Sequence, residues 1–324
     1  MGEWDDLSDE YAAKELEYSK QNLAQLKMFD RSKLNSATVL SYDLLMQSLE
    51  NDIEDYQWRL YNYPVNQMFG RHSGIVSLLI NQHRISSVTD AEAYISRLNG
   101  ITALFGQLIS GIEARTAANI VPPKFVFPHV IRDSQNIIKG APFDDGEASI
   151  LLADFSKKLN QLADLENSEL TPEKKSVLLE DAIEALVVSV KPAYQGLISH
   201  LTDLEELANT DDGVWKWENG DRFFDLALKR TTTTELTADE IHNIGLIEVD
   251  RIQSEMGVIK DKVGFQGDLK AFMAFMREDE QFYYANDKQG KERYLNQAIQ
   301  LIDSMKGRLD ELFITTPKAD LEVK

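Results

Sequence analysis

The chain has 324 residues, 43% hydrophobic and 27% charged, which is the balance of a folded protein long enough to bury one or two cores. Its 54 acidic and 34 basic residues give a net charge of −20, which opposes binding to nucleic acid or to an anionic membrane surface. The absence of cysteine excludes thiol nucleophiles, disulfides and cysteine-ligated zinc or iron–sulfur centres.

The N-terminal sequence shows no signal peptide, and no apolar run predicts a transmembrane segment. The opening residues MGEWDDLSDE fit either a mature N-terminus behind a removed signal or a plain cytosolic start. Cysteine usage does not decide the compartment, because a chain without cysteine is stable in either redox state.

Helical patterns fill the first third of the chain. A segment rich in Ala, Leu and Lys predicts a helix from Asp9 to about Met28, and a second helix opens near Asn35. A capping box at Thr89 and Glu92 predicts a third, running to about Ala118. The second helix has one apolar face, formed by Tyr42, Leu45, Leu49, Ile53, Tyr56 and Leu60.

Prolines and turn residues punctuate the middle of the chain. Pro122 and Pro123 end the third helix and can begin the next after a turn, since proline is tolerated in a first helical turn. A turn at residues 144–146 precedes a predicted helix from Glu147 to Leu165.

Thr171 is a helix cap, because it is followed by proline at the first helical position. The helix that starts there contains Pro192, which removes a backbone donor and predicts a kink or break near Val190. A loose domain boundary is expected just before this helix, near residues 168–171.

The C-terminal third begins with the run Arg230–Thr234, whose β-branched hydroxyl residues favour a loop or a short extended segment. Thr237 and Glu240 then form a capping box for a long amphipathic helix from Ala238 to about Gly264. A final strong helix is predicted from about Lys291 to Leu312.

The tail Thr315–Lys324 departs from this pattern. Leu321 and Val323 alternate with charged residues, which is typical of the start of a β-strand. A strand needs partners and the chain offers no other convincing one, so a truncated chain explains the tail better than a natural end. The expected fold is all-α, an elongated multi-helix assembly with a strand starting at its C-terminal end.

The order and spacing of several segments resemble those of the bacterial domain-of-unknown-function 885 family. These segments, which lie within residues 35 to 324, are YDLLMQSLENDIEDYQWRLYNYPVNQMFG, TDAEAYISRLNGI, PPKFVFPHVIRDSQNII, FDLALKRTTTTELTADEIHNIGLIEVDRI and TPKADLEVK. None of them is a catalytic signature.

The resemblance implies a secreted or lipid-anchored protein similar to zinc metallopeptidases, with a long helical N-terminal half. The family's metal-binding element, a His-Glu motif closely followed by Pro-Gly-His, is absent from these 324 residues. We therefore expect the chain to be the N-terminal half, inactive alone, with no cofactor of its own and zinc in the full-length parent. Its location would be periplasmic or lipid-anchored, and its partners a peptide substrate and the missing C-terminal half.

The histidines give no metal motif of their own. None of the five lies in His-Glu-x-x-His or Glu-x-x-His, the arrangements of zincin and di-iron helices. His129 and Arg132 share a predicted helical face with Asp133 and Asn136, which could line a cleft or simply face solvent. His242 lies beside an apolar face, which favours a partly buried structural histidine over a substrate contact.

The segment Tyr61–His72, reading YNYPVNQMFGRH, has the composition of an ordered binding loop, although a structural loop under helices fits as well. Arg71 is the candidate for holding a peptide carboxylate, because a guanidinium binds one with two hydrogen bonds. Trp215 and Trp217 would point to opposite sides of an extended segment, as core anchors or as an aromatic subsite. The candidate substrate-binding residues are thus Arg71, His129, Arg132 and His242, and no catalytic residue is assigned.

Two functions of different classes remain open from the sequence. The chain is either the helical, substrate-enclosing portion of a metal-dependent peptidase or hydrolase, or a non-catalytic helical binding or scaffold protein. A third reading, an intact hydrolase that uses clustered Asp and Glu, finds no spacing that singles out such a set.

Overall fold

The computed structural model describes residues 2–165, 169–319 and 321. These residues form helices joined by loops, and none of them lies in a β-strand. The predicted all-α class is confirmed. Within these ranges, no helix is both long enough and apolar enough to cross a bilayer.

The chain divides into two compact units, Met1–Ala227 and Leu228–Lys324. The first unit contains eight α-helices in the described part of the chain, and a ninth starts near its end. In chain order these are α1 (Asp9–Leu26), α2 (Ser36–Asp55), α3 (Arg71–Asn81), α4 (Val88–Ala117), α5 (Val126–Ile137), α6 (Ile150–Ala163), α7 (Pro172–Ala185), α8 (Lys191–Leu207) and α9 (Gly220–Thr232).

The first unit is built around α4, the longest of its helices. This helix packs against α7 and α8, while α5 packs on α8 and α3, and α6 packs on α3 and α7. The buried residues of α4 recur every three or four positions, so they form one continuous apolar face along its 30 residues. Several helices can pack along a face of this length. Its buried residues are Ala91, Tyr94, Ile95, Leu98, Ile101, Leu104, Phe105, Leu108 and Ile112.

Helix α4 begins earlier than the sequence predicts. The predicted Thr89–Glu92 capping box is not formed, because Ser87 is the N-cap and its Oγ accepts from the Asp90 N–H at 3.2 Å. By contrast, the predicted cap at Thr171 is confirmed, and its side chain accepts from the Lys174 N–H.

The predicted kink near Val190 corresponds to a π-helical turn over Leu186–Val190, which joins α7 to α8. Pro192 follows in the first turn of α8, where its missing N–H is tolerated. The wider turn is fixed to α4, since Thr102 donates to the Ser189 carbonyl at 3.2 Å and Ser189 donates to Asn99 at 3.1 Å. The helix is therefore widened at this point and not broken.

The expected loop at Arg230–Thr234 is wrong in its first half, because α9 continues to Thr232. The Thr232 hydroxyl donates to the Leu228 carbonyl at 2.9 Å, which satisfies the side chain inside the helix. Thr233 has a φ of +56°, and the helix ends there.

Among its described residues, the second unit contains the end of α9 and three further α-helices, α10 (Ala238–Lys262), α11 (Leu269–Glu278) and α12 (Lys288–Lys306). The Thr237–Glu240 capping box at the start of α10 is present, so this predicted helix is confirmed almost residue for residue. Helix α12 starts and ends earlier than predicted, and a short 3-10 turn at Leu309–Glu311 follows it.

Two sequence predictions fall partly outside the described residues. The expected boundary near 168–171 includes Ser168, which is not described. The expected strand in Thr315–Lys324 includes positions 320 and 322–324, which are not described either. Both stay predictions.

Candidate functional site

A tight loop from Tyr61 to Gly70 leads directly into α3 and positions Arg71 at its first turn. The side-chain oxygen of Asn66 accepts from the N–H groups of Met68 and Phe69 at 2.9 and 3.0 Å. Gly70 has a φ of +152°, and a Cβ there would lie 2.7 Å from the Val65 Cα. Only glycine fits this close approach, so the loop ends in one defined geometry.

An aromatic cluster lies beneath the loop. Trp217 is buried and its ring centroid is 5.6 Å from that of Tyr61 and 5.5 Å from that of Tyr63. The Tyr61 hydroxyl donates to the Glu218 carbonyl at 2.8 Å. Trp215 is 77% exposed, so the two tryptophans lie in different environments, but Trp215 is in a 3-10 turn, Val214–Lys216, and not in the extended segment that the sequence analysis considered. The cluster makes the loop a rigid element.

Arg115, on the last turns of α4, fixes the other side of the loop. Its guanidinium donates to the Asn62 carbonyl at 3.2 Å, to the Asn62 side-chain oxygen at 2.9 Å and to the Arg59 carbonyl at 3.1 Å. All of these acceptors are neutral, so its positive charge is not cancelled by the contacts that hold it.

Arg71 and Arg115 line one cavity of about 330 Å³, which we call the Arg71 cleft. Its other walls come from the loop, from α4 and from the segment before α1. They consist of Leu7, Asn62, Tyr63, Pro64, Gln107, Leu108 and Gly111. The cleft thus brings two guanidinium groups, two amide side chains and a tyrosine together.

A second cavity of about 580 Å³ adjoins the Arg71 cleft, because the two share Leu7, Gln107, Gly111 and Arg115. Small residues of α4 form one wall of this larger cavity, and residues 7–12 with Arg59 and Leu60 form the other. The small residues are Ala103, Gly106, Ser110, Gly111 and Ala114. Together the two cavities make a channel that is cationic at one end and lined by small side chains along α4.

The electrostatics of the cleft favour an anionic group. Arg71 is exposed, and its guanidinium has no ion pair or side-chain hydrogen bond with any described residue. Burial lowers the pKa of Arg115, and the nearby Arg59 charge lowers it further. Burial also raises the pKa of Tyr63 to about 12, which keeps its hydroxyl protonated and able to donate at neutral pH. A carboxylate in the cleft would meet donors on several sides.

His129 and Arg132 do not line the Arg71 cleft. Both are exposed on α5, where the Arg132 guanidinium lies 3.2 Å from the His129 Nδ1 and 3.5 Å from the Asp133 carboxylate. Asn136, on the same stripe, is exposed as well. The side chains of this stripe therefore contact one another on the solvent-facing side of α5.

The expected partial burial of His242 is wrong, because this residue is exposed on α10 in the second unit. Of the three predicted site residues in the first unit, only Arg71 lines the cleft. Sequence reasoning missed Gln107 and Arg115 in the cleft. Neither lies in a motif, and only the packing of α4 against the loop brings them to Arg71.

A zinc ion, which the resemblance implies for the parent protein, finds no matching donor set among the residues that the structure describes. These residues include no group of three His, Cys, Asp or Glu side chains arranged to hold a metal. Buried His83, for example, uses both ring nitrogens on the Asp90 carbonyl and the Arg97 guanidinium. No chemical step is therefore assigned to a metal on these residues.

The fold has relatives among solved structures and among family models. A model described as "Bacterial protein of unknown function (DUF885)" matches residues 1–324. A crystal structure of a candidate lipoprotein from Colwellia psychrerythraea superposes with a TM-score of 0.83 at 23% identity, over 97% of this chain and 53% of that one. A candidate lipoprotein of unknown function from Shewanella oneidensis gives a TM-score of 0.62 at 16% identity, over 98% of this chain and 53% of that one.

At these identities the likeness to the two structures concerns the fold. This chain spans about half the length of either protein. No curated protein matches it.

Proposed function

Because this chain belongs to the bacterial family of unknown function DUF885, we propose that it is the helical, substrate-enclosing portion of a metal-dependent peptidase or hydrolase. In this proposal the Arg71 cleft binds the carboxylate of a peptide. The observation that carries it is that Arg71 and Arg115 line one cavity, while their charges have no carboxylate partner among the described residues.

The shape of the channel supports a peptide over a compact anion. The larger cavity continues from the cationic end along the small residues of α4, where a backbone can approach the helix closely. Met68 and Phe69 are exposed at the tip of the loop and offer apolar contacts beside Arg71. A peptide would place its terminal carboxylate at the arginines and its preceding residues along α4.

In this proposal the chain binds and orients the substrate and excludes water from it, while the metal and the hydrolytic groups belong to the remainder of the parent protein. The metal would supply an activated water for attack on the amide. No catalytic residue is assigned to this chain, and alone it would bind without hydrolysis.

Calorimetric titration with matched peptides tests the binding step. N-acetyl-trialanine with a free carboxylate should bind the full chain, and the same peptide with a C-terminal amide should bind at least about tenfold more weakly, the ratio expected from one charge-assisted contact. Arg71→Gln should remove this preference for the free carboxylate.

Arg222→Gln is the matched control, because Arg222 is also exposed in the first unit, carries the same charge and lines neither cavity. It should bind both peptides as the unaltered chain does. Equal binding of acid and amide by the unaltered chain would reject the carboxylate site, and so would an unchanged preference in Arg71→Gln.

The alternative function is a non-catalytic helical binding or scaffold protein. Reading the encoding DNA past the Lys324 codon separates the two proposals. An open frame that continues into a His-Glu element and a Pro-Gly-His element supports the hydrolase portion. A stop codon there favours the binding protein, for which the peptide titration still applies.

A periplasmic or lipid-anchored location of the parent is part of the same proposal. It is supported by the description of both similar structures as candidate lipoproteins. Cell fractionation with an antibody to this chain tests it, since recovery in the cytosolic fraction alone would reject that location.

A further inference from the structure

The arginines of the first unit fall into two groups. Arg31, Arg59 and Arg132 each lie within ion-pair distance of a carboxylate. The other arginines of this unit have no carboxylate partner among the described residues, although acidic residues outnumber basic ones in the chain. These are Arg71, Arg84, Arg97, Arg115 and Arg222.

Four of these five arginines without a carboxylate partner line two cavities, with two arginines in each. Arg71 and Arg115 line the Arg71 cleft, while Arg84 and Arg97 line a cavity of about 420 Å³ between the end of α3 and the start of α4. We propose that this second cavity, the Arg97 pocket, is a separate binding site for a small oxyanion, a carboxylate or a phosphate group.

The Arg97 guanidinium is held in place by neutral partners. Its NH1 lies 2.8 Å from the Nδ1 of His83, its Nε donates to the Glu3 carbonyl at 3.5 Å, and the guanidinium carbon lies 5.5 Å from the ring centroid of Trp4. The NH2 group makes no hydrogen bond to any residue in the described ranges. One edge of a fixed guanidinium is therefore available for a ligand.

The contacts of His83 determine its tautomer. Its Nε2 lies 3.0 Å from the Asp90 carbonyl, which can only accept, so the proton is on Nε2 and Nδ1 accepts from Arg97. His83 is only 4% exposed, and burial lowers its pKa, so the ring is neutral at neutral pH. The ring thus orients Arg97 without cancelling its charge.

The remaining lining supports an oxyanion ligand over a cation. Arg84 is exposed and its side chain has no hydrogen bond or ion pair with another described residue, and Gln82 and Ser86 add polar side chains. The one acid in the lining, Asp90, is already engaged, because its Oδ2 accepts from the Ser86 N–H at 3.0 Å. Two guanidinium groups against one engaged carboxylate leave the pocket with a net positive charge.

Carboxylate and phosphate share the geometry that a guanidinium fork recognises, so the pocket could take either group. Calorimetric titration of the full chain with inorganic phosphate, and separately with N-acetylglycine, tests both sources at low ionic strength. We expect one phosphate ion to bind per chain, and one N-acetylglycine to bind per chain in Arg71→Gln, where the Arg71 cleft no longer competes for a carboxylate. Both affinities should fall as sodium chloride is added. Binding of phosphate, of N-acetylglycine or of both shows which of the two oxyanions the pocket accepts.

Arg84→Gln and Arg97→Gln should each weaken binding at least about tenfold, the loss expected for one charge-assisted contact. Arg84→Gln is the decisive variant, because Arg84 is exposed and its side chain makes no hydrogen bond or ion pair with another described residue, so its loss should leave the fold intact. Trp4 gives a second readout, since its fluorescence should change on ion binding and Trp4→Phe should abolish that change.

Two controls separate this pocket from the Arg71 cleft. Arg222→Gln and Arg71→Gln remove the same charge from the first unit and should leave phosphate affinity unchanged. Absence of binding by either ion in the millimolar range overturns the proposal, as does an affinity that Arg84→Gln and Arg71→Gln lower equally. The peptide titration of the Arg71 cleft is repeated in Arg84→Gln, so that a carboxylate bound in the Arg97 pocket is told apart from one bound in the cleft.

Discussion

The Nδ1 of buried His83 accepts a hydrogen bond from the guanidinium of Arg97 at 2.8 Å, so a proton on that nitrogen would replace an acceptor by a donor. Burial lowers the pKa of His83 from its usual 6.5, and the charges of Arg97 and Lys158 lower it further, against the opposing effect of Asp90. His72, which is also buried, has a pKa lowered by burial and partly restored by Asp133.

We expect stability to fall as the pH drops below about 6.5, because the unfolded chain then binds protons that the folded chain does not. Above 6.5 both states carry neutral histidines and this contribution is complete. Each such histidine adds a slope of at most about 1.4 kcal/mol per pH unit. Urea unfolding between pH 5 and 8, a range set by histidine titration, should give a shallower slope for His83→Gln. An unchanged slope in His83→Gln would contradict this account.

Lys158 and Asp154 form an ion pair at 2.8 Å whose side chains are only 14% and 12% exposed. Lys158 also donates to the Leu79 and Ile80 carbonyls at the end of α3, and the Tyr94 hydroxyl donates to Asp154. Lys158→Ala should lower the free energy of unfolding by about 3–5 kcal/mol, because it leaves a buried carboxylate unpaired.

The matched control for that substitution is Lys174→Ala, since Lys174 pairs with Glu92 at 2.7 Å where both side chains are substantially exposed. Its cost should be under about 1 kcal/mol. Similar losses for the two variants in urea titrations would contradict the buried-pair account.

Gly140 lies in the loop between α5 and α6 with a φ of +85°, and a Cβ there would be 2.3 Å from the Glu147 carbonyl oxygen. Gly140→Ala should therefore destabilise the chain by at least about 2 kcal/mol. Gly196→Ala is the control, because Gly196 is exposed on α8 and nothing lies near its added Cβ. That variant should gain about 0.5–1 kcal/mol, and thermal unfolding of both checks the difference.

Arg115→Ala should release the loop that carries Arg71. Its guanidinium makes hydrogen bonds to Asn62 and to the Arg59 carbonyl, and charged hydrogen bonds are worth about 1.5–3 kcal/mol each. Hydrogen–deuterium exchange should rise over residues 59–70 and stay unchanged in α7. Unchanged exchange in the loop would show that the aromatic cluster around Trp217 holds it alone.

Local signals explain what the sequence predicts well. Helix α10 is predicted almost to the residue, because the Thr237–Glu240 capping box and an apolar repeat both lie within it. Helix α3 is not predicted from the sequence, since its N-cap is Gly70, which has no side chain to cap the helix. Ser87 and Thr89 could each cap α4, and the structure uses Ser87.

The residues of the candidate site also differ in whether a local sequence signal predicts them. Arg71 is predictable from the loop composition around it, because glycine, proline, amides and aromatics cluster within a dozen residues. Arg115 and Gln107 lie within a helical pattern, and their place in the cleft depends on how α4 packs against that loop. Arg84 and Arg97 likewise meet in one pocket only because the segment between α3 and α4 lies beside the first turns of α4.

The π-helical turn at Leu186–Val190 has a consequence for length variation in this segment. Such a turn holds one residue more than an α-helical turn, and each residue of an α-helix rotates its successors by about 100°. Because the wider turn takes up the extra residue, the residues after it keep their orientation, and Tyr194, Leu197 and Leu201 face the core. Forcing the same residues into a regular helix would rotate them by about 100° away from the core, whereas deleting one residue from this turn would restore a regular helix with their orientation kept.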